Sequence, residues 1–208
     1  MHPYLTRLGI RPEVQSFFQP YFNSDGTGNL VFSYQDSFEH FGFAFHRVPD
    51  SEYLWMAGNN NFSHIRQVFI CGSAMDCIAF LNFNYSAFRH TDNLLFVSTG
   101  IRPNADQLRW INENLDGKMF SLVFSNDLLG RICDLKAAAG IRRMPLAIST
   151  TGEEIVVYFR HKAYHFLFDE FSLNAFEKQA GYRFNMNTLK PKCADSWFSW
   201  LKEKIFNH

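Results

Sequence analysis

The spacing of apolar positions changes character along this chain. Near the start, Met1 to Leu8 and the stretch from Pro12 to Pro20 carry short helical signals. Pro12 stands at a helix-opening position, and Val14, Phe17 and Phe18 form the apolar stripe behind it. Asn23 to Gly28 is a polar, glycine-containing loop. Leu30–Tyr34 and Phe41–His46 then read as two strands joined through Gln35–His40, the second with Phe41, Phe43 and Phe45 on one face. A further short strand is predicted around Tyr53–Met56. The polar run Gly58-Asn59-Asn60-Asn61 marks a boundary.

From Gln67 onward strands and helices alternate. Val68–Cys71, Leu94–Val97 and Met119–Phe124 are apolar runs of the kind expected of strands covered on both faces, and Met144–Ile148 reads as a fourth. Ser73 precedes a helix with Met75, Ile78, Phe80 and Leu81 as its buried side. Asn104–Asn114 places Leu108, Ile111 and the following Leu115 at helical spacing. Leu128, Leu129, Ile132, Leu135 and Ala139 mark a third helix, ending at Gly140. Such repeats imply right-handed crossovers and a mainly parallel sheet flanked by helices.

The tail has another pattern. Glu154–Phe159 and Ala163–Phe168 form a hairpin around Arg160-His161-Lys162, and Ser172 caps a helix running to Gly181. A final helix over Ala194–Phe206 would bury Trp197, Phe198, Leu201 and Ile205. The expected organisation is a small N-terminal α+β subdomain over residues 1–60, an α/β domain over 61–150, and a C-terminal hairpin with helices over 151–208 packed on it.

Composition narrows the partners. Hydrophobic residues make up 47% and charged ones 19%, which fits a packed globular protein. Lys plus Arg and Asp plus Glu stand at 20 each, so any attraction to a polyanion must come from a local patch. The 24 phenylalanines point first to the core, with any exposed remainder serving a partner. Met1-His2-Pro3-Tyr4 lacks the basic-then-apolar order of a secretory signal, and no apolar run approaches the ~20 residues that span a bilayer. Cys71, Cys77, Cys133 and Cys193 form no CxxC pair, so free thiols in a reducing cytoplasm, without a membrane role, are expected.

Ligands of open α/β sheets sit outside the carboxyl ends of the strands. Two such ends stand out: Val68-Phe69-Ile70-Cys71-Gly72-Ser73-Ala74-Met75-Asp76, and Leu122-Val123-Phe124-Ser125-Asn126-Asp127-Leu128-Leu129-Gly130-Arg131. In order and spacing they resemble the signature motifs of the Toprim family of primases, topoisomerases and nucleases. The opening Tyr4-Leu5-Thr6-Arg7-Leu8-Gly9-Ile10, with the strand pair before Asn60, looks like the small N-terminal subdomain of primase cores. The resemblance implies a Toprim-like sheet in the α/β domain.

It also implies a site that has lost its acids. The family's first strand ends in Glu-Gly and a later one in Asp-x-Asp, the carboxylates serving acid–base chemistry and Mg²⁺. Here Gly72 and Ser125 stand at two of those positions, while Asp76 and Asp127 remain. Hard divalent ions need several anionic oxygens, so Asp127 by itself makes a poor metal site, and it reads first as a helix N-terminal acid. No catalytic residue and no cofactor is expected; Mg²⁺ or Mn²⁺ enters only if the site is active after all.

The remaining candidates are contacts to nucleic acid: Asn126 and Arg131 beside the second motif, and the basic clusters Arg142-Arg143 and Lys190-Pro191-Lys192. Trp110, Trp197 and Trp200 offer stacking surfaces, although Trp197 fits a core position. His161 and His165 have a metal-compatible spacing only on a helix, and their surroundings alternate as a strand. Asp36, Glu39 and His40 are expected in a solvated turn, and Ser125 lacks the flanking glycines of a nucleophile elbow.

The resulting expectation is a non-catalytic, Toprim-like, primase-derived protein. It would act in DNA replication or mobile-element transfer by binding single-stranded or duplex DNA, or replication or mobilisation proteins. One alternative is an active, primase-like nucleotidyl-transfer enzyme or nuclease using Asp127 and Asp76. Another is an interaction scaffold with no nucleic-acid role.

Overall fold

The structure, a computed structural model, describes residues 1–206. Its centre is a five-stranded sheet in the order β12-β8-β6-β7-β5. Strands β6 (Gln67–Cys71), β7 (Leu94–Gly100), β8 (Met119–Leu122) and β12 (Asn187–Thr188) run parallel, and β5 (Asp50–Gly58) closes one edge antiparallel. Two smaller sheets are antiparallel throughout. One contains β1 (Asn23–Ser24), β2 (Leu30–Ser33), β3 (Phe38–Phe41) and β4 (His46–Arg47). The other contains β9 (Leu146–Thr151), β10 (Glu154–Phe159) and β11 (Lys162–Leu167). The protein is therefore a mixed α/β fold, and no helix among the described residues is long and apolar enough to cross a membrane.

Alternation along the central strands divides the core in two. Phe69, Cys71 and Phe96 face one side, where α1 (Pro3–Arg7), α2 (Pro12–Phe18), α3 (Ala74–Asn84) and α7 (Trp197–Phe206) gather. Val68, Ile70, Leu95 and Val97 face the other, under α4 (Ala105–Asn114), α5 (Leu128–Ile141), the third sheet and α6 (Leu173–Ala180). Most phenylalanines fill these layers; Phe18, Phe69, Phe96, Phe159, Phe176 and Phe184 are all buried. Helix starts follow their side chains. Ser73, Asn104, Asp127 and Ser172 each accept a backbone N–H at the N-cap, and Asn104 with Gln107 makes a full capping box.

Three expectations change. Met144–Ile148 is not a fourth parallel strand. Arg143 turns the chain with a φ of 53°, and β9 pairs antiparallel with its sequence neighbour β10 across a tight turn at Gly152. Closing so short a loop takes little chain entropy. The added parallel strand is β12, far along the tail. Phe41–His46 is not one strand either: the Gly42 N–H donates to Phe45 O at 2.9 Å, and the chain turns between β3 and β4. Finally, the segment before residue 60 is not separate from the central sheet, because β5 runs the length of β7 as its partner. A bulge between Asp50 and Trp55 is held by the buried Gln107 amide, which donates to Ser51 O, Tyr53 O and Thr99 O.

Candidate functional site

The carboxyl ends of β6 and β8 lie side by side, and both are closed by the chain itself. Beyond β8, β12 pairs with Ser121 and Leu122, and Leu189 N–H donates to Leu122 O at 2.8 Å. This register delivers Lys190 onto the strand end, where its ammonium donates to Phe124 O at 2.9 Å and Ser125 O at 2.8 Å. It also pairs with the buried Asp134 of α5 at 2.6 Å. Burial pushes the Asp134 carboxyl up to about 7, with Lys190 opposing that rise, and burial lowers the Lys190 ammonium below the usual lysine range. Asp134 Oδ1 has no hydrogen-bond partner among the described residues.

The acids expected at the site are engaged elsewhere. Asp127 caps α5, accepting from Gly130 N–H at 2.7 Å and from the Ser125 hydroxyl at 2.7 Å. Asp76 joins two helix starts: it accepts from the Ser73 hydroxyl at 2.7 Å and from Phe198 N–H, in the first turn of α7, at 2.9 Å. Burial raises its carboxyl, against those hydrogen bonds. Gly72 has ordinary room, since an added Cβ would lie 3.6 Å from the Phe124 ring. Gly130 has none, because a Cβ there would collide with the Ser125 carbonyl.

The remaining candidates are scattered. Asn126 donates its backbone N–H to Asp195 O at 2.6 Å, tying the tail across the second motif. Arg131 is half-buried, and its guanidinium donates to Asn126 O, Asp169 O and Phe171 O. Arg142 donates to Phe184 O, and Arg143 pairs with Glu113 at 3.2 Å. Lys192 is exposed, away from any described ion pair. His161 lies in the β10–β11 turn and His165 in β11, where it meets Glu154 at 3.4 Å. No group of three His, Cys, Asp or Glu side chains among the described residues is placed to hold a metal ion.

One group was hidden by its local sequence. Glu39 is fully buried in β3, not in a solvated turn, because Gln35 adopts a positive φ of 75° and the hairpin closes early. Its carboxylate accepts from Ala74 N–H at 2.7 Å and Met75 N–H at 3.1 Å, so it covers the start of α3 just past Gly72. His46 Nε2 lies 2.8 Å from its other side, and the buried Tyr34 hydroxyl donates to it at 2.9 Å. A carboxylate from a different strand thus stands at the end of β6. The signal available was alternation alone: Phe38 points out, 56% exposed, so that Glu39 and Phe41 point in.

As an assembly, these ends present hydrogen-bonded, mutually neutralising groups instead of a cluster of open carboxylates. No family model matches the chain, and no curated protein or solved structure matches it either.

Proposed function

We propose that this chain is a non-catalytic, Toprim-like protein of a primase-derived lineage, acting in DNA replication or mobile-element transfer by binding nucleic acid or replication and mobilisation proteins. The reading of the central sheet as Toprim-like is supported by its adjacent parallel strands β6 and β8, whose carboxyl ends carry the two motif-like segments.

The observation that carries the non-catalytic part is the Lys190 ammonium on Phe124 O and Ser125 O. A fixed cation sits where the resemblance puts a divalent ion, and repulsion between the two disfavours metal entry. The surviving acids offer little compensation, since Asp76 uses both oxygens on the starts of α3 and α7 and Asp127 commits Oδ1 to the start of α5, which leaves one exposed carboxylate oxygen. Two-metal phosphoryl transfer needs several free carboxylates at one point, and no group of three metal-ligating side chains comes together among the described residues.

Product analysis on a labelled template with Mg²⁺ or Mn²⁺ tests this reading. No extension or cleavage is expected, and activity that disappears in Asp127→Ala would overturn it. Fluorescence anisotropy with single-stranded and duplex DNA then divides the binding modes. Salt-sensitive binding supports the nucleic-acid partner, and its absence leaves the protein partner.

A further inference from the structure

The surface holds an aromatic cleft that the strand-end site does not explain. It lies between α1, the turn joining β3 to β4, and α7, with a volume of about 440 Å³. Its walls are aromatic: Tyr4, Phe41, Phe43, Phe45 and Phe198. Phe41 and Phe198 are buried against each other at 4.9 Å between ring centroids, but Phe43 is 79% exposed and Phe45 44%. The turn is held in place, since the Gly42 N–H donates to Phe45 O and Gly42 O accepts from the Tyr4 hydroxyl at 3.2 Å. Two rings are thus presented to water on a fixed support, at a hydrophobic cost that core packing does not recover.

The charged side chains that line the cleft have one sign. Arg7 and Lys202 line the cleft, and neither forms an ion pair among the described residues. The Arg7 guanidinium carbon is 6.0 Å from the Phe43 ring centre and the Lys202 ammonium 4.9 Å from that of Phe198. His46 also lines the cleft, and its partner Glu39 is fully buried beneath it. An occupant must therefore offer a flat π-surface to the rings and negative charge to the two cations. A purely apolar peptide would leave both cations without a counter-charge, and a phosphate alone would leave Phe43 and Phe45 in water.

We infer that this cleft binds a nucleotide, with its base stacked on Phe43 or Phe45 and its phosphate against Arg7 and Lys202. Base–aromatic stacking with cationic tracking of phosphates is how sequence-tolerant single-strand sites work, and the volume suits one nucleotide. A free mononucleotide and one unit of a single strand share this chemistry. The inference rests on the binding function proposed above and gives it a location beside the capped end of β6, where His46 meets Glu39 and the Phe198 N–H meets Asp76.

The test is anisotropy of a fluorescein-labelled oligo(dT), with dTMP as competitor, on the full chain and on the surface variants Phe43→Ala, Arg7→Gln and Lys202→Gln. Phe43→Ala is expected to weaken binding from about 5-fold to about 150-fold, the range for loss of one stacked base. Each cation variant should lower the slope of log K against log salt by about 0.7. Displacement by dTMP with the same sensitivity to the variants identifies a free nucleotide as the source, and its failure identifies the strand. Oligo(dT) binding that all three variants leave unchanged overturns the cleft while the broader function stands. No binding of either probe overturns the cleft together with the nucleic-acid half of that function. Light scattering that shows a dimer dissolved by Phe43→Ala overturns the cleft in favour of self-association.

Discussion

The Lys190 ammonium donates to the Ser125 carbonyl at 2.8 Å, joining residues that lie far apart in the chain. Because the same nitrogen reaches Phe124 O and Asp134, the tail is fastened to the end of β8 by one half-buried cation whose partner is buried. Removing one partner of a buried pair leaves the other uncompensated, at about 3–5 kcal/mol. In urea unfolding at about pH 8.5, where Asp134 is ionised, Lys190→Met is expected to lose about that much stability, and Lys190→Met with Asp134→Leu should recover most of it. Equal losses in the single and double variants would show that the pair is not coupled.

The same site sets a pH dependence. The Asp134 carboxyl is raised by burial to about 7 in the folded protein, so between about pH 4 and 7 the folded chain holds a proton that the unfolded chain has released. The folded state binds more protons in that window, and the contribution of this group to stability declines as pH rises through it. Urea midpoints measured across the window should fall for the native sequence relative to Asp134→Asn. A difference that stays constant with pH contradicts the shift.

Gly72, after β6, and Gly130, in the first turn of α5, differ in what they tolerate. Gly130→Ala drives a Cβ into the Ser125 carbonyl in the first turn of α5, and a cost of about 1–3 kcal/mol is expected. Gly72→Ala meets only van der Waals contact, so a change within about 0.5 kcal/mol is expected. Chemical denaturation of both variants compares them directly.

Thiol reactivity should single out one cysteine. Cys71, Cys77 and Cys133 are buried, and burial raises all three thiols, Cys133 to about 12, whereas Cys193 is exposed. Iodoacetamide at neutral pH should label Cys193 alone in the native protein and all four thiols in urea, as read by mass spectrometry of peptides.

Much of the fold was legible because its signals are local. Ser73, Asn104, Asp127 and Ser172 cap the helices that their positions announce, and the apolar runs at Val68 and Leu94 form the central strands. What could not be read depends on pairing across distance. Nothing near Asn187 distinguishes a two-residue strand, and its place beside β8 follows from the docking of the tail. Likewise, Met144–Ile148 has the composition of a buried strand but meets its own hairpin first.

At the strand ends the local helix caps were legible and the long-range contacts were not. Gly72 and Ser125 are evident where carboxylates belong in the resemblance. That Asp127 caps a helix followed from its place before α5. Glu39 and Lys190 gave no comparable warning. Glu39 sits between Phe38 and His40, and only the early closure of its hairpin turns it inward. Lys190 belongs to a short basic cluster of the kind usually solvated, yet β12 carries it under the tail.

Closed in this way, the two strand ends are expected to hold no catalytic metal. Titration of the isotope-labelled protein with Mn²⁺, followed by paramagnetic broadening of backbone amides, addresses it without requiring any substrate. No saturable broadening centred on residues 72–76 or 125–131 is expected at millimolar Mn²⁺. Saturable broadening there that disappears in Asp127→Ala would contradict it.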